Sequence, residues 1–214
     1  MQTLADLVNL EEPGINLVKA WLGEGSVPYD ILPVSANRDE RLVETQVTTK
    51  SPMGAVVYDT GGILIENGWL RILGSGSDRL QRSLPEWNTK MLRDDRSAYL
   101  IADDVLGGFF ALNGGAFGDD LGMIYYLPYD DLAWEPLEIG YSEFISWCVT
   151  DQLYGFYGED WLVDWDERSK KISADQCYCF YPFLWTNEGS ILQSEAKPTP
   201  VSEALLIKLQ MGQN

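Results

Sequence analysis

Histidine is absent from all 214 residues. That removes every Ser-His-Asp and Cys-His mechanism and every imidazole-ligated metal site. Catalysis, if there is any, falls to Asp, Glu, Lys, Tyr or Cys. Cysteine is scarce and odd in number, with Cys148, Cys177 and Cys179 only. Such usage fits a reducing compartment and buried thiols, and Cys177-x-Cys179 has no second pair to complete a zinc site. No apolar run approaches the ~18 residues a spanning helix needs. The start of the chain, MQTLADLVNLEE, lacks the basic region of a signal peptide. These absences lead us to expect a cytoplasmic protein without membrane contact, metal or cofactor.

The most telling absence is of positive charge. Between Ser97 and Glu167 there is no Lys or Arg, while the same 71 residues hold 15 carboxylates and 16 of the 26 aromatic side chains. This stretch supplies most of the chain's net charge of -18. A field of that sign repels nucleic acid and anionic membrane and attracts a basic protein, whose cations also find aromatic faces.

The rest of the chain is that of a globular protein, with 45% hydrophobic residues and no internal repeat. The spacing of Leu4, Leu7 and Val8, and of Ile15, Val18 and Leu22, predicts amphipathic helices over residues 3–9 and 15–22, the second ended by Gly23. Pro28 and Pro33 bracket an extended connector. From Leu42 the period changes, and LVETQV, AVVYDT and GILIE read as strands. Asn67-Gly68 marks a hairpin into Trp69–Leu73, closed by Gly74-Ser75-Gly76-Ser77. Ser83 and Pro85 open a helix over Leu84–Leu92. SAYLIADD, GGFFALNGG and GMIYYLP then read as strands, and Pro136 places WEPLEI at a sheet edge. Helical spacing returns from Tyr141 to about Phe156 and again from Val201 to Met211, the latter capped by Ser202. One strand, CYCFYPFLW, lies in the irregular segment between them. The expected fold is α+β: a single, mainly antiparallel twisted sheet with flanking helices at both ends of one domain. Within it, residues 1–40 form a helical segment, 41–140 the sheet core, and 141–214 a helix, an acidic-aromatic segment and a C-terminal helix.

Two runs carry a family resemblance. TTKSPMGAVVYDTGGILIENGWLRILGSGSDRLQRSLPEWN and DDVLGGFFALNGGAFGDDLGMIYYLPYDDLAWEPLEIGYSEFISW look like a bacterial family catalogued as domain of unknown function 2625. They do so above all at Trp69-Leu70-Arg71, Trp87-Asn88 and Gly107-Gly108-Phe109-Phe110. Over Tyr99 to Trp147, the order of strand, Gly-rich turn, FFAL strand, Gly-rich turn, IYYL strand and SEFISW helix is similar to the Smi1/Knr4 (SUKH) superfamily. That second resemblance implies a small acidic α+β domain, which in many members is an immunity protein against a secreted toxin.

Candidate sites fall into two groups. Asp119, Asp120, Tyr129, Asp130, Asp131, Tyr157, Trp161, Asp164, Trp165 and Asp166 combine carboxylates and loop aromatics, and form the expected surface for a basic protein partner, a toxin among the possibilities. Phe117 is a further loop aromatic. Trp69, Arg71, Ser75, Ser77, Arg79, Trp87 and Asn88 surround the Gly-rich turn in the main basic neighbourhood, and constitute a possible anion or small-molecule site. The turn lacks the Lys-Ser/Thr end of a phosphate loop. The doublets Asp103-Asp104, Asp119-Asp120 and Asp130-Asp131 suggest an alternative, a carboxylate enzyme acting on a sugar or phosphate. Neighbouring strand residues point to opposite faces, so no doublet is itself a catalytic pair, and turn chemistry accounts for Asp beside Gly. Arg71, alone on an apolar strand, is expected to bond one of Asp103, Asp104, Asp119 or Asp120.

Overall fold

The computed structural model describes residues 1–93, 95, 97–158 and 164–212. The helices α1 (Leu4–Leu7) and α2 (Ile15–Glu24) form where the apolar spacing places them, α2 running past Gly23 to end at Gly25. Two segments expected as strands are helices instead: α3 (Arg38–Thr45) and α4 (Pro52–Asp59). Asp39 and Glu40 in the first turn of α3 suit the positive end of its dipole. In α4 Pro52 sits in the first turn, and the apolar run Met53 to Val57 is buried all round. A short buried helix and a buried strand look alike in sequence, because neither shows a polar face. Gly54 is required there, since a Cβ would lie 2.3 Å from the Thr48 carbonyl oxygen.

The sheet is an antiparallel meander in chain order: β1 (Tyr29–Ile31), β2 (Gly62–Ile65), β3 (Leu70–Leu73), β4 (Ala98–Asp104), β5 (Phe109–Asn113), β6 (Met123–Leu127) and β7 (Glu135–Gly140). The extended connector between the prolines contains β1. The β2–β3 turn has three successive positive φ angles at Glu66, Asn67 and Gly68, as the Asn-Gly signal requires. Strand β7 is an edge, and Pro136 and Glu138 (φ 58°) protect it from further pairing. The helix α5 (Leu84–Leu92) has Ser83 as its cap residue and Pro85 in its first turn.

The helix expected from Tyr141 to Phe156 is two, α6 (Tyr141–Trp147) and α7 (Gln152–Tyr157). Tertiary contact breaks it: the Val149 carbonyl accepts hydrogen bonds from the Ser26 and Val27 amides. After the short helix α8 (Trp165–Arg168), β8 (Gln176–Tyr181) pairs with β9 (Glu195–Pro200) in a second, two-stranded sheet. This corrects the expectation of a single sheet. EAKPTP has two prolines and no apolar alternation, so nothing local marks it as β9. The last helix, α9 (Val201–Met211), is capped at Pro200 and not at Ser202. No helix among the described residues is long and apolar enough to cross a membrane.

Asn88 on α5 completes the sheet. Pairing of β3 with β4 stops at Ile72 and Ala102. Beyond it, the Asn88 amide accepts from Leu100 N–H (2.7 Å) and donates to Leu100 C=O and Leu84 C=O (both 2.9 Å). Asn88 thus satisfies β4 as a neighbouring strand would. Asn88→Ala leaves two buried backbone groups unpaired and is expected to cost about 1–3 kcal/mol in urea unfolding. Loss of less than about 0.5 kcal/mol would show the strand finding other partners.

Candidate functional site

Arg71 on β3 is fully buried and meets Asp103, its cross-strand neighbour on β4, at 2.5 Å. The expected pairing of basic and acidic segments is present, as a charge contact and not an aligned hydrogen bond; the aligned bond of Arg71 runs to the Gly68 carbonyl (3.4 Å). Asp103 also receives Arg82, which holds Asp175 at 2.8 Å and lies 4.8 Å above the Trp87 ring. Burial works against the charge on Arg82, but its two carboxylate partners hold its pKa above the ordinary value. The turn explanation therefore does not cover Asp103, which is an interior counter-ion.

Asp104 faces the other way. Its carboxylate accepts from Leu106 N–H, Gly108 N–H, Tyr126 O–H and Tyr157 O–H. Burial pushes its pKa up, while these donors and Arg71 pull it back. Gly108 makes room for this cluster, because a Cβ would sit 2.2 Å from Asp104 Oδ2.

The aromatics expected at a partner surface divide. Tyr129, Tyr157 and Trp165 are buried, and with Trp69 they form an internal row: Trp165–Trp69 5.5 Å, Trp69–Tyr157 5.1 Å, Tyr157–Tyr129 6.4 Å between centroids. They are corrected from surface to core, since burying a large ring outweighs exposing it in a chain this aromatic. Trp161 lies outside the described residues. Asp164 is tied to Arg168 at 2.7 Å, and Asp166 is exposed beside it.

Two other rings, Phe117 and Trp134, are half-exposed, and Tyr125 beside Phe117 is buried. Phe117 stacks on Tyr125 (4.6 Å) and meets Trp134 (4.9 Å). Tyr125 O–H donates to the Asp120 carboxylate, next to exposed Asp119. Asp131 accepts from the amides of Leu132 and Ala133, which fixes the turn into Trp134, and Asp130 is exposed beside it. The two doublets stand before and after β6, and Asp120 is tied to the ring stack through Tyr125 O–H. Among the described residues no Lys or Arg forms an ion pair with any of the four. Phe117 was legible as a loop aromatic; Trp134 was not singled out, and its place between Asp131 and the edge strand was the available signal.

The basic group also separates. Trp69, Arg71, Trp87 and Asn88 are interior and serve packing and pairing. Ser75, Ser77 and Arg79 line an open cleft of about 740 Å3. Three amides of the Gly-rich turn are spent within the protein: Ser75 N–H on Thr60 C=O, Gly76 N–H on Gly61 C=O, Ser77 N–H on Leu80 C=O. Cys148 and Cys177 are buried thiols, with burial pushing Cys177 up to about 12. Among the described residues no three Cys, Asp or Glu side chains converge as metal ligands.

The family model described as "Protein of unknown function DUF2625" matches residues 4–204. The chain belongs to this family. It is 45% identical over 186 residues to the uncharacterised protein YbfG of Escherichia coli (strain K12), covering 86% of each chain. It is 40% identical over 189 residues to an uncharacterised protein of Haemophilus influenzae (strain ATCC 51907 / DSM 11121 / KW20 / Rd), covering 86% of this chain and 83% of that one. The match spans both the internal ion-pair cluster and the acidic ring stack.

Proposed function

We propose that this protein is a non-catalytic binding module that takes a basic protein partner on the face formed by Phe117 and Trp134 with Asp119, Asp120, Asp130 and Asp131. The observation that carries the reading is the pair of half-exposed rings, Phe117 and Trp134, each within three residues of an exposed Asp doublet that no Lys or Arg pairs among the described residues. An arginine or lysine laid on Phe117 or Trp134 gains a cation–π contact and a carboxylate within one step. The field of the whole chain steers such a partner in, so association should be fast and salt-sensitive. The resemblance of residues 99–147 to the Smi1/Knr4 (SUKH) superfamily makes a toxin one kind of partner this face would suit. The carboxylate-enzyme alternative has less support, because the exposed doublets line none of the clefts described and the buried one is consumed by Arg71, Arg82 and two tyrosines.

The test compares wild type with Trp134→Ala and with the quadruple change of Asp119, Asp120, Asp130 and Asp131 to Asn. Partners are captured at about 50 mM salt, and each is purified and titrated back at about 50 and 300 mM. A basic partner should bind at least about tenfold more weakly to either variant, and more weakly at the higher salt. A partner held equally by all three proteins would refute the assignment of this face.

A further inference from the structure

The clefts of about 740 Å3 and 490 Å3 share Gln81 and Glu86, so they form one trough on the side of the molecule built by the 33–36 segment, the Gly-rich turn and α5. We infer that this trough is a binding site for a neutral polyhydroxylated ligand, a saccharide in class, gripped at its wider end by Ser35, Ser77, Asp78, Arg79 and Gln81.

The walls are held without a ligand. Ser75 Oγ donates to Thr60 C=O (2.7 Å) and accepts from Ser35 N–H (3.0 Å), so it locks the 33–36 segment to the turn. Arg41 is strutted between Glu44 and Glu86. The Ser75 hydroxyl has no proton to spare, whereas the buried Arg41 Nε has no partner among the described residues. The remaining groups have bonding capacity to spare. Ser77 Oγ accepts from Arg79 N–H and Leu80 N–H, and Ser35 Oγ accepts from Asn37 N–H; among the described residues, neither hydroxyl proton has an acceptor. The Asp78 carboxylate and the Gln81 side-chain amide have no hydrogen-bond partner among the described residues. Arg79 uses Nη1 on Asp30, an exposed pair that contributes little and yields readily. Donors and acceptors from two segments therefore converge on one open space.

Charge selects the ligand class. Arg41 and Arg79 are matched in the cleft by Asp78 and Glu86. The wall is locally neutral in a chain of net charge -18. An anion would meet both carboxylates and the field of the whole protein, and three of the turn's amides are not free to hold it. A cation would meet the arginines. A polyol supplies alternating donors and acceptors without net charge, as hydroxyl, amide, carboxylate and guanidinium groups side by side require.

Saturation-transfer NMR on the full chain tests this with neutral mono- and disaccharides, and with inorganic phosphate and glycine as the charged and zwitterionic probes. At least one saccharide should give a signal that phosphate and glycine do not. Asp78→Ala and Ser77→Val should each weaken it about tenfold, the loss of one good hydrogen bond. Both side chains border solvent, and unchanged unfolding midpoints would show both variants folded. Trp134→Ala, on the proposed partner face, should leave the signal intact, so this inference and that reading fail separately. No saccharide signal, a signal from phosphate or glycine alone, or a saccharide signal unaffected by both variants would overturn the assignment.

Discussion

Asp103→Ala should destabilise the protein by about 3–5 kcal/mol in urea unfolding, because it leaves Arg71 buried without its salt-bridge partner and takes one of Arg82's two counter-ions. Asp103 is interior, and so are Arg71 and most of Arg82. The three positions are not equivalent. Arg71→Met should cost less, about 1–3 kcal/mol, because Arg82 continues to neutralise Asp103. The pair Arg71→Met with Asp103→Leu should then cost clearly less than the two single effects added, since Arg82 keeps Asp175 and no isolated charge remains on β3 or β4. The cluster joins β3, β4, the segment before α5 and the segment before β8, so the loss should appear as global unfolding and not as fraying of one element. If Asp103→Ala lies within about 0.5 kcal/mol of wild type, the cluster is not an energetic centre of the fold.

That cluster was largely legible in the sequence. A single arginine on the strand WLRIL has to be paired, and the only long run of carboxylates without cations begins at Asp103. The hairpin at Asn67-Gly68, the helix after Ser83 and the meander from β4 to β7 were legible for a related reason. Each announces itself within a few residues, through turn chemistry, a proline in the first turn or alternation. The helices α3 and α4 were not, because Val43, Val56 and Val57 satisfy a strand template as well as a buried helix, and only packing decides, of α4 against α2 and α6 and of α3 against α1, α4 and α5. The break between α6 and α7 was hidden too, since it is made by Ser26 and Val27 from far along the chain. For the candidate site, composition correctly drew attention to the acidic-aromatic stretch but carried no direction. Tyr129, Tyr157 and Trp165 turn inward, while Phe117 and Trp134 stay half-exposed, and which ring does which is set by tertiary packing, since none of the five lies on a strand.

Lys208 was missed, although its spacing is plain. Val201, Ala204, Leu205 and Lys208 are the buried positions of α9, which puts a lysine in an apolar stripe. Its ammonium donates to the carbonyls of Pro128 and Asp131 and lies 4.6 Å from the Trp185 ring centre. Burial pulls its pKa down to about 8, against the opposing pull of Asp104, Asp130, Asp131 and Cys177. Between that value and the ordinary ~10.4 of an unfolded lysine, the unfolded chain holds a proton that the folded one has released. Stability must therefore rise with pH across this window, by about 3 kcal/mol in all. The other buried titrating groups act oppositely: Cys148, Cys177, Tyr126 and Tyr157 are held protonated by burial, so they withdraw stability as pH climbs past their unfolded values. Apart from the coupling of Cys177 to Lys208, their contribution is common to wild type and Lys208→Met and cancels in the difference. Urea unfolding of both proteins from pH ~7 to ~10 should show wild type gaining about 2–3 kcal/mol on the variant, with most of the change above pH ~8. Parallel curves would mean that Lys208 titrates as an exposed lysine does, and that α9 does not seal it against the loop carrying Asp130 and Asp131.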